Sequence, residues 1–334
     1  MSAPASNPVI VMGMHRSGTS MVIRMLQQLG VFTGWELDAN GEAVYFVRRN
    51  QAILEAHGAS WGNPAPIDAL LGHDGMRRRL VQTLQRDLSR AAVASYLGPW
   101  RYPRYRSLLR LGPPWGWKDP RNALLLGLWL EVFPSARVVH VVRNGMDVAL
   151  SLADRETLRV QYVLGNESGT WNFLRTLATP PDGCSRPAWM FSQARLRRSK
   201  GRLARRFVQL HVPSVIDPAR GFALWEEYLT RAVSAGQTAA GGVLQLRYED
   251  VLGDPAAAAR SLADHCGIEP RPGRLAEATA TVDASRATHA HARAGATPLA
   301  REQRRSTLTE SAHRSGWMRQ LGYEVLPAAQ RTER

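Results

Sequence analysis

A short apolar strand followed by a glycine-flanked loop is the feature that most constrains this chain. Val9–Met12 is a run of four apolar residues, which is typical of a buried strand. Gly13 and Gly18 follow it, and apolar residues at helical spacing then continue up to Gly30. Such a loop lets successive backbone N–H groups point inward at the start of a helix, where the helix dipole adds positive potential. The sequence therefore predicts a phosphate-binding loop at residues 13–20.

Strands and helices alternate along the rest of the chain. Apolar runs at 137–142 and 243–247 predict two further strands, each followed by a segment of helical periodicity. Strands separated by helices are typical of a parallel sheet that is covered on both faces and binds ligands at the carboxyl ends of its strands. We therefore predict an α/β fold, a P-loop-type parallel sheet flanked by helices, in a single catalytic domain over residues 1–334.

The same patterns predict where the chain departs from this alternation. Segments 58–75 and 98–114 are rich in Gly and Pro and are predicted to be loops, and 34–50 is predicted to be irregular. Residues 158–218 are predicted to be a mainly helical insertion, and 271–305 a segment that closes over a bound ligand. Helices are predicted at 122–133, from 147 onward, at 222–235 and at 255–266.

The residues within the first loop indicate how it would bind a phosphate. The loop of nucleotide triphosphatases carries a lysine before its Ser or Thr, whereas this loop ends in Thr19 and Ser20. Arg16 would supply the positive charge from inside the loop, and Ser17 adds a hydroxyl group. This composition favours a phosphate held without magnesium; a strand-to-helix turn that binds no ligand is the alternative.

A second set of polar residues follows the predicted strand at 137–142. Arg143 stands at the end of that strand, and Ser151 follows eight residues later, two turns into the next helix. Both side chains would reach one anion, unless the arginine is solvated and the serine lies on an outer helix face.

Lys118, in the block WKDPR, stands out because Lys200 is the only other lysine among 43 basic residues.

These motifs resemble those of the sulfotransferases that use 3′-phosphoadenosine 5′-phosphosulfate (PAPS). HRSGTS at 15–20 is similar to the 5′-phosphosulfate-binding loop of the bacterial and tyrosylprotein branches, and Arg143 and Ser151 have the separation of the family's 3′-phosphate-binding motif. LRYED at 246–250 is similar to the segment whose tyrosine contacts the nucleotide. The resemblance implies that PAPS is the sulfuryl donor and is bound by Arg16, Ser17, Gly18, Thr19, Ser20, Arg143, Ser151 and Tyr248.

The resemblance also implies a catalytic lysine. WKDPR is similar to the KDP segment that contributes a lysine to the sulfuryl site of tyrosylprotein sulfotransferases, which makes Lys118 the catalytic candidate. A compact ammonium group stabilises the negative charge that accumulates on the bridging oxygen as the S–O bond breaks. Arg16 is expected to act in both binding and catalysis, and Asp119 to orient Lys118 or Arg121.

Several residues are candidates for the general base. Counting from the loop arginine, as in the tyrosylprotein branch, points to Glu36. The block N-E-x-x-x-F-x-R-x-N of the bacterial branch resembles residues 40–50 with one residue inserted, and it points to Glu42. We favour Glu42 and keep Asp38 and His15 as alternatives, although the charge of the arginine beside His15 disfavours a further proton there.

Charge narrows the classes of function. The chain has 43 Lys and Arg against 28 Asp and Glu, a formal charge of +15, which suits an anionic ligand, nucleic acid or an acidic surface. A P-loop small-molecule kinase is one alternative, but the loop lysine and an evident acidic ligand for magnesium are missing. A basic nucleic-acid-binding protein without catalysis is another, suggested by the arginine-rich run at 195–206, although the sequence carries none of the common nucleic-acid-binding motifs.

The remaining expectations concern metals, compartment and acceptor. Cys184 and Cys266 are too few for a four-ligand zinc site and are predicted to be free thiols, so no metal is expected. The apolar stretch at 123–132 is far below the roughly 18 residues of a membrane span, and without a basic leader a cytoplasmic protein is predicted. The acceptor is expected to be a hydroxyl of a small molecule, glycan or natural product, and its specificity is assigned to 158–218, the stretch that the resemblance does not cover. His289 and His291 lie in the predicted closing segment, for which a solvated loop is the alternative.

Overall fold

Four short parallel strands form the centre of the fold. The computed structural model describes residues 7–164, 212–283 and 298–323, and the order of its strands is β2-β1-β3-β4. All three pairings are parallel, which confirms the predicted α/β fold with a parallel sheet flanked by helices. The strands are β1 (Val9–Met12), β2 (Gly116–Lys118), β3 (Arg137–Val142) and β4 (Val243–Arg247).

The helices connect these strands and continue beyond the last of them. In chain order they are α1 (Thr19–Gln28), α2 (Val44–Ala56), α3 (Ile67–Leu71), α4 (Asp74–Asp87), α5 (Ala94–Tyr105), α6 (Asn122–Val132), α7 (Gly145–Leu164), α8 (Pro218–Gly236), α9 (Tyr248–Gly253), α10 (Pro255–Cys266), α11 (Arg274–Ala280), α12 (Pro298–Arg314) and α13 (Gly316–Gln320).

Alternate residues of β1 belong to two different apolar cores. Ile10 and Met12 lie in one buried cluster, whereas Val9 and Val11 lie in another that includes residues of α1 and α10. This division follows from the two-residue period of a strand. Since both clusters are closed by helices, the sheet is covered on both faces, and its strand ends and their loops are the parts left to bind a ligand.

Three segments that were predicted to lack regular structure contain helices. The five-residue α3 lies within 58–75, α2 begins within 34–50, and much of α5 lies within 98–114. In α5 the backbone leaves the helical conformation at Gly98, with φ 73°, and a helical turn resumes at Pro99. Glycine and proline therefore mark a kink here rather than a loop.

The strand β2 has no counterpart among the predicted strands. It is only three residues long, which is too short to show an apolar alternation, and it is fully buried. Its pairing with β1 places Lys118 beside Val11 at the carboxyl end of the sheet. The missed strand is therefore the element that brings the WKDPR block to the predicted phosphate loop.

Some predicted features lie outside the described residues. They include Cys184, the run at 195–206, His289 and His291, together with most of the predicted insertion and part of the closing segment. The domain boundaries at 158–218 and 271–305 therefore stay predictions. Cys266 is a buried free thiol, and none of the described helices combines the length and apolarity needed to cross a membrane.

Candidate active site

The loop at residues 13–18 connects the carboxyl end of β1 to the start of α1. Gly13 has a φ of +150°, and a Cβ atom there would lie 2.3 Å from the carbonyl oxygen of Val141, so glycine is required for this close approach. Arg16 has a positive φ of 73°, a conformation that few non-glycine residues adopt. Ser17 is buried, and its Oγ has no hydrogen-bond partner among the described residues. The loop thus presents a buried hydroxyl that a bound anion would satisfy.

Arg16 joins this loop to the second predicted set of residues. Its Nε donates a hydrogen bond to Ser151 Oγ at 2.9 Å, and Arg143 Nη1 donates to the Arg16 carbonyl oxygen at 3.2 Å. The Arg143 guanidinium also lies 4.5 Å from the centre of the Tyr248 ring. Because β1, β3 and β4 are neighbours, the residues that follow them meet at one edge of the sheet.

Tyr248 lies against the last residue of the loop. A Cβ atom on Gly18, whose φ is +97°, would be 2.3 Å from Tyr248 Cδ2, so the ring leaves no space for a side chain there. Thr19, the first residue of α1, is buried, and Ser20 is half-buried. The structure therefore brings the eight predicted donor-binding residues to one region around the start of α1.

Lys118 ends β2 with its ammonium group buried. Its Nζ donates to Glu42 Oε1 at 2.8 Å, to Ser20 Oγ at 3.1 Å and to the Asn40 carbonyl oxygen at 3.3 Å. Ser20 Oγ donates in turn to the same carbonyl oxygen at 3.0 Å. Only 2% of the Lys118 side chain is exposed. Three acceptors therefore hold the ammonium group beside the first turn of α1.

Glu42 is the acidic partner of that lysine. Its side chain is 9% exposed, and burial raises the pKa of Glu42 from 4.5 to about 7, while the positive charges of Lys118 and Arg121 oppose the shift. Arg121 Nη2 lies 3.6 Å from Glu42 Oε2, the oxygen that does not contact the lysine. A carboxyl group with a pKa near neutrality changes its protonation at physiological pH, as a proton acceptor in catalysis requires.

A buried polar network holds Arg121 in place. Asp119 Oδ1 accepts hydrogen bonds from Arg121 Nε at 2.8 Å and from its backbone N–H at 2.9 Å, and Gln51 Oε1 accepts one from Nη1 at 2.6 Å. Asn50 Nδ2 donates to Asp119 Oδ2, while Trp129 Nε1 donates to Asn50 Oδ1, both at 2.9 Å. Of the two partners considered for Asp119, the structure gives it Arg121.

A family comparison agrees with this geometry. Residues 8–165, which contain the loop, Glu42, Lys118, Arg143 and Ser151, match the model of the Sulfotransferase family. This region, a little under half of the chain, is similar to the sulfotransferase family. The match ends before Tyr248, so the assignment of that residue to the site depends on its contacts in the structure.

Individual similar proteins are distant in sequence from this chain. An uncharacterized protein of Aquifex aeolicus (strain VF5) is 29% identical over 149 residues, which are 44% of this chain and 17% of that protein. The chain therefore spans about a sixth of the length of that curated relative. The sulfotransferase domain from the curacin biosynthetic pathway is 14% identical with a TM-score of 0.45, over 97% of this chain and 100% of that domain. The sulfotransferase domain of the Synechococcus PCC 7002 olefin synthase is 16% identical with a TM-score of 0.39, over 92% and 97%.

The candidate site includes residues to which the motifs gave no role. Glu249 Oε1 accepts a hydrogen bond from the Asn144 backbone N–H at 3.0 Å, and its Oε2 accepts one from Tyr323 Oη at 2.9 Å. Trp225 Nε1 donates to the Arg143 carbonyl oxygen at 3.1 Å. Glu249 follows the predicted Tyr248 directly, which is a usable signal, whereas no sequence pattern links Tyr323 to a residue so far away.

The other candidates for the base occupy different places. Asp38 is exposed, and its Oδ1 accepts the backbone N–H groups of Asn40 and Glu42 at 2.8 Å each, so it shapes the loop that carries Glu42. Glu36 lies earlier in that loop, with its backbone N–H bonded to the Ser95 carbonyl oxygen at 3.1 Å. His15 is half-buried, with its ring centre 4.7 Å from that of Trp61. Of the four candidates, Glu42 is the one whose carboxylate contacts Lys118 within the part of the chain that the structure describes.

Proposed function

We propose that this protein is a sulfotransferase that moves the sulfuryl group of PAPS to a hydroxyl of a small molecule, glycan or natural product by in-line transfer. The observation that carries the proposal is the meeting of two groups of cations on one glycine-flanked loop. Arg16 and Arg143 lie on the side of Ser151, and Lys118 lies beside Ser20 at the start of α1. Two separate cationic sites at the carboxyl edge of the sheet suit a donor with a 5′-phosphosulfate and a separate 3′-phosphate.

The residues of the loop fit a phosphosulfate group. Ser17 Oγ is buried and unsatisfied within the described residues, and the loop leads into the positive end of the α1 dipole. Arg143 and Ser151 would hold the 3′-phosphate, and the Tyr248 ring offers a flat surface to the nucleotide. PAPS would supply the sulfuryl group, whose bond to the 5′-phosphate oxygen breaks as its bond to the acceptor oxygen forms.

Charged side chains of the protein would act on the leaving oxygen and on the acceptor hydroxyl in this transfer. Lys118 Nζ would stabilise the negative charge on the leaving oxygen, since a buried ammonium group is held in position before the reaction begins. Glu42 would accept the proton of the acceptor hydroxyl, and its raised pKa matches that task. Arg121, fixed by Asp119, would keep the second carboxylate oxygen in place.

Calorimetry separates this proposal from the other classes of function. We expect adenosine 3′,5′-bisphosphate, the desulfated donor, to bind more tightly than ATP with magnesium. A preference for ATP with magnesium would favour the kinase. Binding of an oligonucleotide, with no binding of either nucleotide, would favour a nucleic-acid-binding protein.

Labelled PAPS incubated with a metabolite extract would then identify the acceptor. We expect activity to persist in EDTA, because the cationic side chains of the protein would bind the donor. The cytoplasmic location stays a prediction, to be checked by cell fractionation.

A further inference from the structure

Two exposed tryptophans lie beside the loop that carries Glu42. The Trp35 side chain packs against Gly98, where a Cβ atom would come within 2.6 Å of the indole ring. The backbone N–H of Trp35 donates to the Tyr96 carbonyl oxygen at 2.7 Å. Trp100 is two residues beyond Gly98, which limits the intervening chain to about 7 Å. Trp35 is 55% exposed and Trp100 is 80% exposed. Both are therefore surface residues of one region next to the candidate active site.

The segment that contains Trp100 is rich in arginine, whereas Glu36 and Asp38 belong to the loop that contains Trp35. Residues 88–118 contain no Asp or Glu, although they contain five arginines. Trp100 and Arg104 are four residues apart on α5 and share a helix face, and both are exposed. Tyr102 and Tyr105 pack against the core instead, so they hold the kinked helix in place. We name the exposed residues of this region the α5 patch: Trp35, Trp100, Arg104, Arg106, Leu109 and Arg110.

The chemistry of the α5 patch matches an anionic lipid surface. Tryptophan is amphipathic and favours the boundary between apolar and aqueous phases, and clustered arginines are attracted to acidic headgroups. Leu109, 46% exposed, adds an aliphatic side chain that would enter the acyl region but has no stacking partner in a nucleic acid. The formal charge of +15 would also draw the protein toward such a surface.

We propose that the α5 patch docks this protein on anionic membranes. The contact needs no membrane span, because exposed aromatic and basic side chains lie in the interface rather than crossing it. Docking here would bring the Glu42 loop to the lipid surface, since the Glu36 N–H is bonded to the Ser95 carbonyl oxygen just before Tyr96. That consequence, access to the hydroxyl of an amphipathic acceptor, rests on the proposed function, whereas docking itself does not.

Vesicle co-sedimentation of the full chain, without any nucleotide, tests the proposal. We expect binding to vesicles of phosphatidylcholine mixed with phosphatidylglycerol and much weaker binding to phosphatidylcholine alone. Arg104→Ser should weaken binding about fivefold, and Trp100→Ser and Leu109→Ser should each weaken it measurably. Met76→Ser is the matched control for Leu109→Ser, because Met76 on α4 is also 46% exposed. Thermal melting would verify that each variant folds.

Three results would overturn the proposal. The first is equal binding to neutral and anionic vesicles, and the second is an equal loss from Met76→Ser and Leu109→Ser. The third is binding of a single-stranded oligonucleotide that depends on Trp100 when vesicle binding does not, which would assign the α5 patch to nucleic acid. None of these outcomes involves PAPS, so a failure of docking and a failure of the proposed function are distinguishable.

Discussion

The ammonium group of Lys118 lies 2.8 Å from Glu42 Oε1, and the two residues are 76 positions apart. Both side chains are almost fully buried, at 2% and 9% exposure. A buried carboxylate so close to an ammonium group is costly to form and costly to break, because removing either partner leaves a charge without compensation. Substitutions of Lys118 and Glu42 should therefore affect the reaction rate and the nucleotide affinity to different extents.

Lys118→Ala should depress kcat while leaving the affinity for adenosine 3′,5′-bisphosphate nearly intact. The lysine would act mainly on charge that develops in the transition state, and loss of one such group commonly costs about 10²–10³-fold in rate. Steady-state kinetics and calorimetry on the same variant test this. A variant with normal kcat and weakened nucleotide binding would instead assign Lys118 to donor binding.

The pH dependence of kcat/KM should reveal Glu42. A base must be deprotonated to act, and burial raises the pKa of Glu42 to about 7, so kcat/KM should fall as the pH decreases below about 7. Glu42→Gln should lose on the order of 10²–10⁴-fold in rate and abolish this acidic limb. If Glu42→Gln keeps full activity and the same pH profile, the base must be sought among Glu36, Asp38 and His15.

The same carboxyl group should make stability depend on pH. Its pKa is higher in the folded protein than the ordinary 4.5, so the folded state binds the proton more tightly than the unfolded state. The contribution of Glu42 to the free energy of unfolding is therefore greatest below pH about 4.5 and declines as the pH rises toward 7. Chemical denaturation across this range should show a smaller decline in Glu42→Gln, and an unchanged slope would contradict the shift.

Arg143→Ala and Ser151→Ala should weaken binding of the 3′-phosphorylated nucleotide more than binding of an analogue without that phosphate. Charge-assisted hydrogen bonds are worth about 1.5–3 kcal/mol, or roughly 10–150-fold in affinity. Calorimetry with both nucleotides measures the difference. Equal losses for the two nucleotides in Arg143→Ala and Ser151→Ala would remove the 3′-phosphate assignment.

Arg16→Ala is expected to reduce both nucleotide affinity and reaction rate.

Gly18→Ala should disrupt nucleotide binding through Tyr248. The new Cβ atom would lie 2.3 Å from the tyrosine ring and displace it. Gly30→Ala is the matched control, since Gly30 has a similar φ of +103° but no atom within 4 Å of its Cβ position. Both variants should lose about 1–2 kcal/mol of stability from the left-handed backbone, but only Gly18→Ala should lose nucleotide affinity. A similar affinity for both variants would mean that the Tyr248 contact is dispensable.

Tyr323→Phe should weaken nucleotide binding from a distance. It removes the hydrogen bond to Glu249, whose other oxygen holds the backbone beside Arg143. A single hydrogen bond is typically worth about 0.5–1.5 kcal/mol, so a loss of about 2–12-fold in affinity for adenosine 3′,5′-bisphosphate is expected. Tyr105→Phe, at a half-buried tyrosine of α5, provides the control. Identical affinities in the two variants would show that Glu249 needs no support from Tyr323.

Local patterns in the sequence were sufficient to predict three of the four strands and the glycine-flanked loop. The apolar runs at β1, β3 and β4 and the glycines of the first loop act through neighbouring residues, so their periodicity and conformational preference can be read directly. The local patterns did not predict β2, because it is too short, and they predicted a loop where Gly98 and Pro99 produce a kink in a helix.

By itself, then, the sequence determined the α/β order, the glycine-flanked loop and a short set of candidate residues. Only the tertiary structure decided which of them meet. Arg16 contacts Ser151 across 135 positions, Lys118 contacts Glu42 rather than Glu36 or Asp38, and Asp119 orients Arg121. The physical reason is that parallel strands bring distant segments to one edge of a sheet, and the pairing order β2-β1-β3-β4 is set by packing between remote residues rather than by any local pattern.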